Sequence, residues 1–271
     1  MSGVDGTTGF VTMDDGCRLR YRIDGDSAAP ALLLSNSLGT NMAMWDAQLG
    51  PFAERFRVIR YDARGHGTSD VTEHLYPFAR LGMDAVALLD ALGVARAAFC
   101  GLSLGGMVGQ WLCVHAVGRF DRLVLANTAA FMPPPEMWDA RIAAVREKGT
   151  STITPAVIAR WFTPGFCERQ AAEVARIGAM LDATSSTGYA TACAAIRDMD
   201  QRAGLSRIAV PVLVIIGAHD TATPPEVGES IAASISQATI ARLDAAHLSN
   251  VEQPEAFTAG VLTFLTAGDQ P

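Results

Sequence analysis

The stretch Ala97-Ala98-Phe99-Cys100-Gly101-Leu102-Ser103-Leu104-Gly105-Gly106 decides the fold of this chain. It contains a short apolar run, a serine between glycines in the pattern G-x-S-x-G, and the start of a helical run that continues to His115. A serine at so sharp a turn has a strained backbone, and side chains at the flanking glycine positions would collide with neighbouring elements. The stretch therefore predicts a strand, a tight turn and a helix, with the Ser103 hydroxyl accessible at the turn.

Apolar runs and helical stretches alternate on both sides of this turn. Two β-rich runs flank Asp14-Asp15-Gly16 and predict a hairpin at the start of the fold. Later runs are separated by helical stretches, one of them between Pro77 and Gly93, which is typical of a mostly parallel sheet with helices on both faces. The predicted strands are 10–13, 18–23, 31–34, 58–61, 97–100, 122–125, 212–216 and 239–243. The predicted fold class is therefore α/β.

The strand signal disappears between residues 131 and 205. This segment carries Pro133-Pro134-Pro135, followed by several alanine-rich helical stretches. We predict that residues 131–205 form a helical cap, inserted into a core made of residues 1–130 and 206–271.

The composition excludes several classes of function. The formal net charge is −7 and no basic run occurs, so neither a nucleic acid nor an anionic membrane surface is an expected partner. The N-terminus lacks the features of a signal peptide, and no apolar run approaches the roughly 20 residues of a membrane span. Five cysteines without paired spacing predict neither a disulfide framework nor a metal site. We expect a cytoplasmic enzyme that acts on a small molecule, and the composition leaves its oligomeric state open, a homo-oligomer included.

A serine hydroxyl needs a base at neutral pH, and the chain offers five histidines. In α/β-hydrolases the order along the chain is serine, acid, histidine, with the acid after a later strand and the histidine in a late loop. His247 follows the predicted strand 239–243, and Asp220 follows the predicted strand 212–216. Taken separately, Asp220 also suits a helix cap and His247 a surface position. The order of all three favours a catalytic triad of Ser103, His247 and Asp220.

Two backbone N–H groups are predicted to stabilise the oxyanion that such a serine generates on a carbonyl group. The amide of Leu104 follows the serine directly, and the second donor is expected in the loop after strand 31–34, where we select Leu38. Many α/β-hydrolases have His-Gly where this chain has Asn36-Ser37. That difference leaves the oxyanion hole in place, because the main chain supplies the donor.

These residues belong to longer stretches that resemble the 3-oxoadipate enol-lactonases of bacterial aromatic catabolism. The stretches are residues 34–40, 44–46, 60–62, 64–67, 100–107, 109–111, 125–129, 160–163, 188–189 and 245–254. The resemblance implies a serine hydrolase that opens the lactone ring of 3-oxoadipate enol-lactone in the β-ketoadipate pathway, without a metal or organic cofactor.

That substrate carries a carboxylate away from its lactone ring, so the resemblance also implies a cation in the cap. The candidates are Arg141 and Arg160, with Trp138, Trp161 and Tyr189 as walls of the pocket. The alternative interpretation is that the arginines are solvated and that the aromatic side chains only pack the helices together.

Other functions use the same fold and triad. General carboxylesterases, C–C hydrolases and cofactor-free perhydrolases are alternatives that the fold alone does not separate. A ligand sensor built on a hydrolase scaffold would keep the pocket with little turnover. The complete set of Ser103, Asp220 and His247 favours an enzyme over a sensor.

Overall fold

The computed structural model describes residues 6–267, in which eight strands form one sheet. The strands are β1 (Thr7–Thr12), β2 (Arg18–Asp24), β3 (Ala31–Ser35), β4 (Arg57–Tyr61), β5 (Ala97–Leu102), β6 (Phe120–Ala126), β7 (Val212–Gly217) and β8 (Ala238–Leu243). Their order across the sheet is β1-β2-β4-β3-β5-β6-β7-β8. All eight predicted strands are present, although β1 begins at Thr7 rather than at residue 10. The predicted α/β class is confirmed.

The sheet is antiparallel at one edge and parallel elsewhere. β1 pairs with β2, and β2 with β4, in antiparallel register, so the predicted hairpin is the edge of the sheet. All other neighbouring strands are parallel. Every residue of β7 is buried, and β3, β5 and β6 are buried along most of their length. A strand covered on both faces needs apolar side chains on both, which explains the unbroken apolar runs in the sequence.

Eleven α-helices occur within residues 6–267. In chain order they are α1 (Asp46–Ala53), α2 (Ala79–Ala91), α3 (Leu104–His115), α4 (Pro135–Lys148), α5 (Thr154–Trp161), α6 (Pro164–Arg169), α7 (Ala171–Ala183), α8 (Ser186–Arg197), α9 (Pro225–Ala233), α10 (Ser249–Glu252) and α11 (Pro254–Leu265). The helix predicted after Pro77 is α2. It ends just before Gly93, whose φ of 67° is a left-handed conformation that commonly terminates a helix.

Helices α4 to α8 lie within the predicted cap, between β6 and β7. An isolated β-bridge between Phe131 and Asp200 joins the two ends of this segment. The cap approaches the core so closely at Gly188 that a Cβ atom there would lie 2.3 Å from the carbonyl oxygen of Gly65. The bounds 131–205 for the cap as a separate unit stay a prediction.

Three parallel strands end where the predicted catalytic residues begin. β5 ends directly before Ser103, β7 ends before the loop that carries Asp220, and β8 ends before the loop that carries His247. The carboxyl ends of neighbouring parallel strands share one edge of a sheet. The topology therefore brings together three residues that are far apart in the sequence.

No helix of the described residues is long and apolar enough to cross a membrane. All five cysteines are free thiols, of which four are buried and Cys167 is half-buried.

Candidate active site

Ser103 occupies a strained turn between β5 and α3. Its φ and ψ are 57° and −115°, a conformation that side-chain-bearing residues rarely adopt. A Cβ atom on Gly101 would lie 2.3 Å from the carbonyl oxygen of Gly105, and one on Gly105 would lie 2.0 Å from the carbonyl oxygen of Ser35. The two glycines of the motif are therefore required by close backbone packing on both sides of the serine.

The structure brings Ser103, His247 and Asp220 into one hydrogen-bonded row. Ser103 Oγ lies 2.9 Å from His247 Nε2, and His247 Nδ1 lies 2.8 Å from Asp220 Oδ2. All three residues are buried, with exposed fractions of 8%, 3% and 2% for Ser103, His247 and Asp220. In this geometry His247 can accept the serine proton while Asp220 fixes the orientation of the imidazole ring.

Asp220 is held by donors other than the histidine. Its Oδ1 accepts hydrogen bonds from the backbone N–H groups of Ala222 and Thr223 at 2.8 and 2.9 Å. Its Oδ2 accepts from the Thr223 hydroxyl at 2.7 Å and from Asn127 Nδ2 at 3.0 Å. Burial by itself raises the pKa of this carboxyl, but the charge and hydrogen bond of His247, with the other donors, outweigh burial and lower the pKa to about 2. The carboxylate is therefore ionised at any pH at which the enzyme works.

Asn127 is a functional residue that the sequence reasoning missed. It follows β6 and has a φ of 45°, which Asn tolerates better than most residues. Besides contacting Asp220, its Nδ2 donates to the carbonyl oxygen of Ala246 at 3.1 Å, and its Oδ1 accepts from the Ser249 hydroxyl at 2.6 Å. Asn127 thus connects the acid to both sides of the His247 loop. Its position directly after a parallel strand is the signal that could have found it.

The predicted oxyanion donors, Leu38 and Leu104, follow β3 and Ser103 respectively. Leu104 is the first residue of α3, and Leu38 lies in the turn after β3 and lines the same pocket as Ser103. Within residues 6–267, neither backbone N–H donates a hydrogen bond to another group of the protein. The loop before Leu38 is anchored by Asn36, whose side chain donates to the Tyr61 carbonyl at 2.8 Å and accepts from the indole of Trp45 at 2.9 Å.

All five cap side chains selected from the sequence line the pocket that contains Ser103 and His247. They are Trp138, Arg141, Arg160, Trp161 and Tyr189. The sequence reasoning missed the apolar members of the lining, which are Met107, Met132, Val157 and Ile196. The pocket is therefore lined by Ser103, His247 and Leu38, by apolar side chains, and by two arginines from the cap.

Arg141 and Arg160 bring two positive charges to the pocket. Within the described part of the chain, neither Arg141 nor Arg160 forms an ion pair with Asp or Glu. The Arg141 guanidinium lies 5.0 Å from the centre of the Trp138 ring. Burial, and then the positive charge of Arg141, lower the pKa of Arg160. Two neighbouring, half-buried cations without a counter-ion favour the binding of an anion between them.

Three of the other four histidines contact groups other than the serine. His66 is buried with Nδ1 3.1 Å from the carbonyl oxygen of Arg64, His115 stacks on Trp111, and His219 Nε2 lies 2.7 Å from Asp244 Oδ1. In residues 6–267, no group of three or more His, Cys, Asp or Glu side chains is arranged to hold a metal ion.

Comparisons with known proteins identify the family of the chain. The sequence profile of a family described as alpha/beta hydrolase fold matches residues 30–254. The chain is 44% identical to 3-oxoadipate enol-lactonase 2 of Acinetobacter baylyi over 243 residues, which cover 90% of this chain and 91% of that enzyme.

Two crystal structures are similar over nearly the whole chain. The enol-lactonase from Burkholderia xenovorans LB400 has a TM-score of 0.93 and 42% identity, covering 95% of this chain and 100% of that one. A hydrolase from Pseudomonas aeruginosa PA01 has a TM-score of 0.94 and 53% identity, covering 97% of this chain and 100% of that one.

Proposed function

Because the chain belongs to the α/β-hydrolase family and is similar over most of its length to 3-oxoadipate enol-lactonases, we propose that it hydrolyses the lactone ring of 3-oxoadipate enol-lactone. The product is 3-oxoadipate, formed by addition of one water molecule, and the step belongs to the β-ketoadipate pathway of aromatic catabolism. The observation that carries the proposal is a pocket lined by Ser103 and His247, which are hydrogen-bonded in a row with Asp220, and by two cap arginines that form no ion pair within residues 6–267.

In the first half of the reaction, Ser103 Oγ attacks the lactone carbonyl carbon while its proton passes to His247 Nε2. Negative charge develops on the carbonyl oxygen, and the backbone N–H groups of Leu38 and Leu104 stabilise it. The ring C–O bond then breaks, and His247 returns its proton to the departing enol oxygen. Because the leaving group is part of the same molecule, it stays attached to the acyl chain.

In the second half, a water molecule attacks the acyl ester on Ser103. His247 takes a proton from this water, and the same two N–H groups stabilise the second tetrahedral intermediate. Breakdown of the intermediate returns the proton to Ser103 Oγ and releases the acid, whose enol converts to the ketone. The ionised Asp220 stabilises the imidazolium in both halves.

The cap supplies recognition of the substrate. Arg141 and Arg160 bind the carboxylate that lies away from the lactone ring, where charge-assisted hydrogen bonds to guanidinium groups are strong. Trp138, Trp161 and Tyr189 form the walls beside them. A simple ester without this carboxylate uses the triad but gains nothing from the arginines. Free thiols suit the reducing cytoplasm, where we place the enzyme.

The test is turnover of freshly generated 3-oxoadipate enol-lactone, followed by loss of its ultraviolet absorbance. Rapid turnover that Ser103→Ala abolishes supports both the reaction and the nucleophile. Slow turnover of the lactone beside rapid cleavage of uncharged aryl esters would overturn the substrate and favour a general carboxylesterase. Ligand binding without turnover of either substrate would favour a sensor.

A further inference from the structure

Glu252 is a buried carboxylate that the proposed reaction does not use. It is the last residue of α10, and only 8% of its surface is exposed. Within residues 6–267, it has no Lys, Arg or His partner within ion-pair distance. A buried carboxylate without a cation is costly unless hydrogen bonds satisfy it, so the donors around it indicate its role.

The donors to Glu252 come from two different parts of the molecule. The backbone N–H of Ala246 donates to Oε2 at 2.8 Å. The hydroxyl of Thr163 donates to Oε1, and the backbone N–H of Thr163 lies 3.3 Å from both oxygens. Ala246 directly precedes the histidine of the triad, whereas Thr163 belongs to the cap. The carboxylate therefore joins the loop of the base to the cap.

A second hydrogen bond joins the same two segments. The backbone N–H of Leu248 donates to the carbonyl oxygen of Trp161 at 3.0 Å. Cap residues 161–163 are thus linked to both sides of His247, directly at Leu248 and through the Glu252 carboxylate at Ala246. Phe162, between the two contacts, is extended, 2% exposed and stacked on Phe166.

Cap residues 161–163, which are hydrogen-bonded to the His247 loop and to Glu252, adjoin the part of the cap that lines the substrate pocket. Arg160 and Trp161 are the last two residues of α5 and both line the pocket. The opposite side of the His247 loop is held independently, through the bonds of Asn127 to Ala246 and Ser249. Loss of the Glu252 contacts would therefore leave the loop held by Asn127 and joined to the cap only through the hydrogen bond from Leu248 to Trp161.

From this arrangement, which rests on the proposed triad, we infer that Glu252 is a positioning residue that holds the cap segment 160–163 against the loop of His247. It sets the substrate-facing end of α5 and the catalytic base in fixed relation to each other. The hydrogen bonds of Thr163 connect Glu252 to the cap, and the backbone N–H of Ala246 connects Glu252 to the loop of the base.

The experiment compares two aryl esters that share a leaving group. 4-Nitrophenyl acetate has no group that reaches the cap, whereas mono(4-nitrophenyl) adipate carries a distal carboxylate. Active sites are counted with a fluorophosphonate that labels Ser103, so that kcat is expressed for each reactive serine. The lactone is not used, so a failure of the lactonase proposal leaves this test interpretable, and an unreactive wild type would instead overturn the triad itself.

Thr163→Val removes the hydroxyl at nearly constant volume, and with it the donor to Glu252 and the acceptor of the Phe166 N–H at the start of α6, both on the cap side. We expect kcat/KM for the adipate ester to fall about tenfold, the value of one charge-assisted hydrogen bond, with the acetate ester unchanged. Thr163→Ser, which keeps the hydroxyl, restores the adipate activity. Thr154→Val is the matched control, because the Thr154 hydroxyl donates to Asp182 within the cap at 2.6 Å, away from the pocket.

Glu252→Gln replaces the carboxylate by an amide that faces N–H donors. This weakens the hydrogen bonds of residue 252 to Thr163 and to Ala246. We expect kcat per reactive serine to fall for both esters, by about tenfold, with a further rise in KM for the adipate ester. The inference is overturned if both variants retain the wild-type kcat and KM per reactive serine. It is equally overturned if Thr163→Val lowers the two esters alike, since that pattern indicates general loosening of the fold.

Discussion

At the carboxyl edge of the sheet, Asp220 accepts hydrogen bonds from Ala222, Thr223 and Asn127 in addition to His247. In the cap, by contrast, Arg141 and Arg160 face the same pocket without a carboxylate partner in the described residues. One region holds its charge in place with protein donors. The other leaves its guanidinium groups available to bind an anionic group of a ligand.

The difference corresponds to the two proposed functions of these regions, catalysis and recognition of the substrate. A catalytic acid and base must keep their geometry while charge moves, so their orientation is fixed by the surrounding hydrogen bonds before the substrate arrives. A recognition site gains affinity by satisfying groups that the empty protein leaves unpaired. Substitutions in the two regions should therefore separate kcat from KM.

The largest effect is expected from Asp220→Asn, at the carboxyl edge of the sheet. Oδ2 of Asp220 accepts from His247, Thr223 and Asn127, so an amide there turns N–H groups toward donors or rotates away from the histidine. The imidazole then loses its orientation, and we expect kcat to fall about 10⁴-fold with little change in KM. Steady-state kinetics on the lactone measures the effect.

The control for that variant is Asp244→Asn, which removes the exposed carboxylate beside His219. It should keep wild-type kinetics. A comparable kcat for Asp220→Asn and wild type would remove Asp220 from the triad and with it the contrast between the two regions.

An intermediate effect is expected in the cap, from Arg141→Met and Arg160→Met. Each change removes a guanidinium but keeps much of the side-chain length, so the substrate carboxylate loses charge-assisted hydrogen bonds. We expect kcat/KM for the lactone to fall roughly 10- to 100-fold, mostly through KM, while uncharged aryl esters are cleaved as before. Arg146→Met, on the exposed side of the same helix as Arg141, is the matched control. Equal losses on lactone and aryl ester would assign these arginines to folding of the cap.

The smallest effect concerns stability in acid. The pKa of Asp220 is lowered to about 2 in the folded protein, whereas the pKa of an unfolded Asp is about 3.9. The folded state therefore favours the ionised form, and this contribution is complete above about pH 5 and is lost as the pH falls toward about 2. We expect the stability difference between wild type and Asp220→Asn in urea to shrink between pH 5 and pH 3. A difference that is independent of pH would show that the charge of Asp220 does not contribute.

The catalytic half of the site could be predicted because its residues leave local signals. Gly101 and Gly105 are demanded by backbone atoms within 2.3 Å of where a Cβ atom would lie, so the motif around Ser103 is visible in the sequence. Asp220 and His247 follow strands that appear as apolar runs, and their order completes the assignment. The pocket arginines were selected because the family resemblance implied a substrate carboxylate. Nothing local distinguishes Arg141 and Arg160 from solvated arginines.

The sequence by itself thus determined the α/β fold, the position of its strands and the three residues of the proposed triad, because periodicity and steric demands at a turn act over a few residues. Only the tertiary structure decided which polar groups support them. Asn127 bonds to Asp220, 93 residues away, and Thr163 bonds to Glu252, 89 residues away. A hydrogen bond at such separation depends on how the sheet and the cap pack, and a single polar residue in the sequence carries no sign of its partner.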